Sequence, residues 1–225
     1  MISTERLFDH APYDSTFKAK VISIGPDYLV LDRTLFYPLS GNQVNDSGRI
    51  NNIDVTNVLC KDNNVGDYIS LESQIWHYMD ISSFHINQEV DGIIDIQNRL
   101  LTMRLHSASH LVEHFISKLS GFVSVEGSFV NYEKDRTDYK FTTSLTIDDL
   151  NNVGEEVNNF IAKHIKIETK ISNGIKQWIC GDIKMLCCGT HVDNVSKIGK
   201  VKLKRKNKGK GIYRVETYLL EENNV

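Results

Sequence analysis

Residues 99–119 read RLLTMRLHSASHLVEHFISKL. Leu101, Leu105, Ala108, Val112, Phe115 and Leu119 recur at helical spacing, which predicts an amphipathic helix from Arg99 to Leu119, ended by Gly121. In the same stretch His106 and His110 stand four apart, so both imidazoles leave one side of the helix, about 6 Å apart at Cβ. At about 100° per residue the pair falls opposite the apolar stripe, beside Arg99, Glu113 and Ser117. It is therefore expected on a face open to solvent. Two imidazoles so placed can reach one metal ion.

Upstream of this helix the pattern changes. Short apolar runs, Phe17–Ile24, Tyr28–Leu31, Tyr68–Leu71, Phe84–Ile86 and Val90–Ile96, are broken at Gly25-Pro26-Asp27, Ser40-Gly41-Asn42, Asp46-Ser47-Gly48 and Asp62-Asn63-Asn64. Closely spaced short strands predict a β-barrel-like domain over residues 1–96. Downstream, Thr146 is placed to cap a second helix, with Asp148 and Asp149 in its first turn and Ile147, Leu150, Val153, Val157 and Phe160 as its apolar stripe. Strands are expected at Tyr139–Phe141, Ile165–Ile171, Ile183–Leu186, Val201–Leu203 and Ile212–Leu219. The fold class is α+β: a barrel-like domain, then a domain over 97–225 of mixed sheet and two helices.

The second half also carries Cys187-Cys188-Gly189-Thr190-His191, a thiol and an imidazole four apart in a glycine-containing turn after a strand. With His106 and His110 this makes a candidate set for one zinc ion: His106, His110, Cys187 and His191. Ser107 stands where a metalloprotease of the zincin type has its glutamate, so that chemistry is excluded. Glu113, one turn past His110, and Thr190, beside the metal turn, are candidate catalytic groups, with Asp182 a weaker one. The plain alternatives are an exposed helix carboxylate for Glu113 and a small buried hydrophobe for Cys187.

Composition sets outer bounds. The chain has 225 residues, 40 % of them hydrophobic and 24 % charged, with a formal net charge of -3. It has no apolar run long enough to cross a bilayer and no signal-like apolar core near Met1, so a cytosolic protein is expected. Its four cysteines are then thiols or metal ligands, not disulfides. The balance of charge is not that of a nucleic-acid coat. Basic residues gather instead at Lys202, Lys204, Arg205, Lys206, Lys208 and Lys210, read as a run between two strands.

The pattern HxxxH…CxGTH resembles the editing domain of alanyl-tRNA synthetase and the freestanding alanyl-tRNA editing proteins called AlaX. Residues 31–48, LDRTLFYPLSGNQVNDSG, resemble that family's glycine-rich segment. Arg136-Thr137-Asp138-Tyr139 resembles its RxDF strand, and Gly209–Glu216 its closing KGxxxRRIE stretch. The resemblance thus runs from about Asp32 to Thr217. It departs at Leu39, Asn42, Cys188 and Tyr213. The glycine-rich segment matches the medium-length freestanding form, and with 225 residues a freestanding protein without an aminoacylation domain is expected.

The resemblance implies a zinc-dependent hydrolase acting on alanine tRNA mischarged with serine, and on the glycine ester as a second substrate. It makes Gly41, Asn42 and Gln43 candidates for substrate contact, and Lys204, Arg205, Lys208, Lys210 and Arg214 candidates for tRNA contact. Two rivals remain: a deacylase of mischarged threonine tRNA, and a zinc-stabilised RNA-binding module without catalysis.

Overall fold

The structure, a computed structural model, describes residues 3–61, 73–172 and 175–220. Contacts divide it into two compact units. The first takes in the chain up to Leu100 with Ile171–Ile175 and Cys187–Thr190. The second takes in Leu101–Lys170, Lys176–Leu186 and the chain from His191.

The first unit is built on a seven-stranded antiparallel sheet. Its order is Ile53–Val55, Gly48–Ile50, Glu89–Ile94, Thr16–Ile24, Tyr28–Leu31, Ile75–Tyr78, Asn57–Cys60. Alternation places Val21, Leu29, Leu31, Ile50, Val58, Ile75, Val90 and Ile94 on the inner face, where they pack with Phe8, Phe17, Leu35, Phe36 and Tyr37. Among the described residues no ladder joins the two outer strands, so the sheet is not shown to close into a barrel. Phe84–Ile86, expected as a strand, is a pair of turns, because Phe84 N bonds back to Ile81 O and Gln88 N to His85 O. The expected run Tyr68–Leu71 and the break Asp62-Asn63-Asn64 lie outside the described residues.

The predicted helix forms as α1, Ile96–Ile116. It starts three residues early because Asp95 caps it, accepting the Asn98 N–H at 3.1 Å. The expectation of a solvent-open face fails. Every residue from Leu105 to Val112 is buried, His106 and His110 included. Ser107 and Ser109, which flank the two imidazoles around the helix, are buried with them.

The second helix, α2, runs Ile147–Ile161 with a full capping box: Thr146 Oγ1 accepts the Asp149 N–H and the Asp149 carboxylate accepts the Thr146 N–H. Ile147 is 65 % exposed and leaves the expected stripe; Ile161 is buried with Leu150, Val153 and Val157 in its place. α2 packs on an antiparallel sheet of order Phe122–Val130, Asp135–Phe141, Ile212–Leu219, Val201–Gly209, where Asn158 binds both the N–H and C=O of Val201.

The basic run is therefore strand, not the loop between strands that was expected. Lys202 to Lys208 lie within Val201–Gly209, which turns back through Lys210 and Gly211. Both turn residues have positive φ, 53° and 75°, the geometry that suits a two-residue hairpin turn. A further sheet holds Ile167–Ser172, Ile175–Cys180 and Ile183–Leu186. Among the described residues no helix is long and apolar enough to cross a membrane.

Candidate metal centre

His106 and His110 stack one turn apart on α1, with ring centroids 5.1 Å apart. The turn after Ile183–Leu186 brings His191 against both, at 4.4 Å from His106 and 5.0 Å from His110. His106, His110, Cys187 and His191 each offer one candidate ligand atom, and these four atoms all lie within 4.8 Å of one another. Trp178, fully buried, packs its indole on His110 at 4.9 Å and closes one side.

Burial decides the protonation of the imidazoles. It pushes His110 down to about 4. It holds His106 and His191 well below the usual histidine range, with smaller contributions from the neighbouring imidazoles and from the charge of buried Lys176. All three are neutral near pH 7, the form that offers a lone pair.

The residues fit a metal by an observation independent of the motif. His110 Nε2 is buried with no hydrogen-bond partner. Such an orphan costs about 1–3 kcal/mol unless something else takes the lone pair. Three imidazoles and a thiol suit zinc among the common divalent ions. The Gly189 N–H points at Cys187 Sγ at 3.4 Å, a contact that favours the thiolate.

Two adjacent thiols have different surroundings. Cys187 joins the imidazoles, whereas Cys188 packs in the first unit's core, its Sγ 3.6 Å from Tyr37 Oη and 3.7 Å from Ser40 Oγ. Ser107, noticed in the sequence only for not being glutamate, orients the turn. Its Oγ donates to Met103 O at 2.8 Å, accepts the Val192 N–H at 3.1 Å and lies 3.5 Å from His191 Nδ1. Neither Ser107, Trp178 nor Lys176 carried a signal that local spacing could read. A serine in a helix that bonds back to its own i−4 carbonyl looks unremarkable until the partner turn is known.

The glycine-rich segment is held by a buried ion pair. Arg99, with no exposed side-chain surface, donates its Nε to Asp46 Oδ1 at 2.9 Å, bonds Asp46 Oδ2 through Nη2, and reaches Leu35 O. Asp46 also accepts the Tyr37 N–H at 2.6 Å. Gly41 and Asn42 form a two-residue turn, φ 55° and 59°, between Ser40 and Gln43. Asparagine tolerates that region better than most residues, so Asn42 keeps the backbone that a glycine would adopt. A Cβ on Gly41 would fall 2.3 Å from Cys188 Sγ.

Gln43 is 1 % exposed and bonds Thr190 twice: its Nε2 donates to Thr190 Oγ1, and its Oε1 accepts the Thr190 N–H, each at 2.9 Å. Gln43 thus sets the position of the residue before His191. Thr190 is itself buried.

The remaining candidates are placed as follows. Glu113 is partly buried, and burial raises its carboxyl above the usual range. Asp182 is exposed in a turn. Lys204, Lys208 and Lys210 are exposed, but Arg205 bonds Leu145 O and lies over the Tyr213 ring, and Arg214 pairs with Asp138 through two bonds of 2.7 Å.

Comparison with known proteins adds three findings. The profile described as "Threonyl and Alanyl tRNA synthetase second additional domain" matches residues 179–216, which span the metal turn and most of the C-terminal hairpin. The alanyl-tRNA editing protein AlaX-M of Pyrococcus horikoshii is 30 % identical over 96 % of this chain and 98 % of its own length. Alanine–tRNA ligases of Methanoregula boonei and Methanococcus maripaludis are 28 % and 31 % identical over 95 % of the chain, which spans only 25 % and 26 % of those longer proteins.

Proposed function

The chain belongs to the alanyl-tRNA editing family, and from that premise we propose that it hydrolyses the ester joining serine, or glycine, to alanine tRNA. The observation that carries the reading is the group of three neutral imidazoles and a thiol, one nitrogen of it orphaned, in a chain of this family. The need is general. A pocket built for alanine rejects serine or glycine by only about 10²-fold, so a second hydrolytic site must clear the errors.

In this reading His106, His110, Cys187 and His191 hold one zinc ion. Bound there, zinc would supply a Lewis acid for a carbonyl oxygen or for water. Glu113 is proposed to take the proton of the hydrolytic water and return it to the leaving ribose hydroxyl; burial raises its pKa and makes it fitter for both tasks. Thr190, whose Oγ1 already accepts from Gln43, keeps its proton to donate to substrate. Gly41 and Asn42 are assigned to the approach of the aminoacyl end, and Gln43 acts on it through Thr190. Lys204, Lys208 and Lys210 are assigned to tRNA phosphates, Arg205 and Arg214 to the sheet's own packing. Residues 1–96 would then present the glycine-rich turn and residues 97–225 the hydrolytic group. We place the protein in the cytosol.

Burial of all four metal-binding residues favours one rival, a purely structural zinc in an RNA-binding module. The test is deacylation of Ser-tRNA(Ala), with Ala-tRNA(Ala) and Ser-tRNA(Thr) as comparisons, by wild type and His106→Ala. The expected result is rapid loss of serine from alanine tRNA alone, absent in a folded His106→Ala protein. A zinc-loaded, folded wild type that leaves Ser-tRNA(Ala) intact would sink the editing reading and promote the module. Preferential hydrolysis of Ser-tRNA(Thr) would replace the assigned substrate.

A further inference from the structure

In the sheet Phe122–Val130, Asp135–Phe141, Ile212–Leu219, Val201–Gly209, residues directly opposite one another point to the same face. One set of rows, Leu203–Thr217–Asp135 and Arg205–Val215–Thr137, is covered: Thr217, Asp135, Val215 and Thr137 are buried, and α2 packs against this side, where a Cβ added to Gly154 would lie 3.9 Å from the Leu203 side chain. The intervening rows are Lys202–Tyr218, Lys204–Glu216–Arg136 and Lys206–Arg214–Asp138, with Ile212–Lys140 beyond them. On this face Lys202, Lys204, Lys206, Arg136 and Lys140 are exposed.

The acids of this face are already engaged. Asp138 is held by Arg214, and Glu216 accepts from Lys134 at 2.8 Å and from Lys206. Among the described residues no ion pair engages Lys202, Lys204, Arg136 or Lys140. Lys204 Nζ stands 4.8 Å from the centre of the Tyr218 ring on the same face.

A bland explanation exists for part of this. Lysines on an outer strand keep a sheet edge from pairing with another chain, and Val201–Gly209 is an outer strand. That explanation does not reach Arg136 and Lys140, which sit on an inner strand. Nor does it explain the sorting of charge along the strand. Arg205, of opposite parity, turns inward to bond Leu145 O, while Lys202, Lys204 and Lys206 all face out.

We propose that this open sheet face docks RNA, taking phosphates of the tRNA substrate on Lys202, Lys204, Arg136 and Lys140. The identity of the RNA rests on the editing reading above; the surface itself rests on register, exposure and charge.

The experiment is equilibrium binding of fluorescently labelled, uncharged tRNA(Ala) by anisotropy, from 50 to 200 mM KCl. Three proteins are compared: wild type, the variant Arg136→Gln/Lys140→Gln/Lys202→Gln/Lys204→Gln, and a control of equal net charge, Lys18→Gln/Lys20→Gln/Lys163→Gln/Lys170→Gln. Each lost phosphate contact lowers the slope of log K against log[salt] by roughly 0.7–0.9, so the face variant is expected to lose about 3 of slope. Over this fourfold salt range the wild type should then weaken about 60-fold more than the variant, with the control matching wild type. Equal slopes for face variant and control, or no salt-dependent binding by wild type, would overturn the proposal. Should the fourfold variant fail to fold, single Lys202→Gln and Lys204→Gln proteins must each lose roughly 0.7–0.9 of slope. Binding and hydrolysis are separate readouts. A wild type that binds with the slope the variant loses, yet deacylates nothing, sinks the editing reading and leaves the docking face standing.

Discussion

Replacing Gln43 by leucine tests how the metal turn is held. The side chain is 1 % exposed and makes two bonds of 2.9 Å to Thr190, one to its hydroxyl and one from its backbone N–H. Leucine fills similar volume but restores neither bond. The Thr190 N–H is left buried without its acceptor, which costs about 1–3 kcal/mol. The hydroxyl loses an ordinary hydrogen bond, about 0.5–1.5 kcal/mol. The expected loss is roughly 2–4 kcal/mol in metal-free protein, read as a lower urea midpoint at unchanged slope. Thr190→Val removes only the hydroxyl arm, so in the double variant that arm is counted once. The coupling between the two substitutions should therefore be about 1 kcal/mol, with the backbone arm remaining as a cost of Gln43→Leu in either background. Zinc affinity, measured by competition with a chromophoric chelator, should fall in Gln43→Leu as well, because the residue that Gln43 fixes adjoins His191. A stability loss below about 0.5 kcal/mol, or strictly additive single and double variants, would refute the claim that this amide organises the turn.

Three further outcomes are expected. His110→Ala should abolish stoichiometric zinc binding, measured by elemental analysis after gel filtration, while wild type retains one ion; an unchanged metal content would refute the ligand set. Gly41→Ala should destabilise the first unit by roughly 1–3 kcal/mol, because the new Cβ meets Cys188 Sγ and φ is 55°. Adding Cys188→Ala should recover only the steric part, and full recovery would show that backbone conformation contributes nothing. Acid should destabilise through His77, which is fully buried, bonded to Thr34 and Leu29, and pushed down to about 4 by burial. The folded chain keeps this ring neutral while the unfolded chain protonates it below about 6.5, so stability is lost as pH falls from about 6.5 to about 4, by up to about 1.4 kcal/mol per pH unit. Buried Asp135, raised to about 7, acts in the opposite sense over this window, so the readout is the difference from His77→Gln; a variant whose denaturant midpoint follows wild type at every pH from 7 to 4.5 would contradict that burial.

The two helices were legible because their signals are local. The heptad-like leucines of α1, the capping pair Thr146 and Asp149, and the strands Tyr28–Leu31, Ile183–Leu186 and Ile212–Leu219 all read directly from spacing. Short strands such as Gly48–Ile50 and Ile53–Val55 escaped notice, since three residues hold too little alternation to stand above loop sequence. Phe84–Ile86 failed the other way: apolar residues there serve turns. The basic strand was missed because alternate lysines break the apolar pattern by which a strand is found, although period two was present in the charges themselves.

Sequence by itself determined the α+β class, the family, and the four residues that gather into one His/Cys cluster, since each pair of that cluster is set by a spacing of four within one local element. Tertiary structure alone decided what surrounds them. The helix face that local amphipathicity left polar is buried. Gln43 meets Thr190 across 147 positions of sequence, and Ser107 reaches His191 across 84. Cys188 turns from the ligand group into a core beside Tyr37. Contacts of that range depend on the packing of elements against one another, and no periodicity within an element encodes which side chain a distant turn will bring.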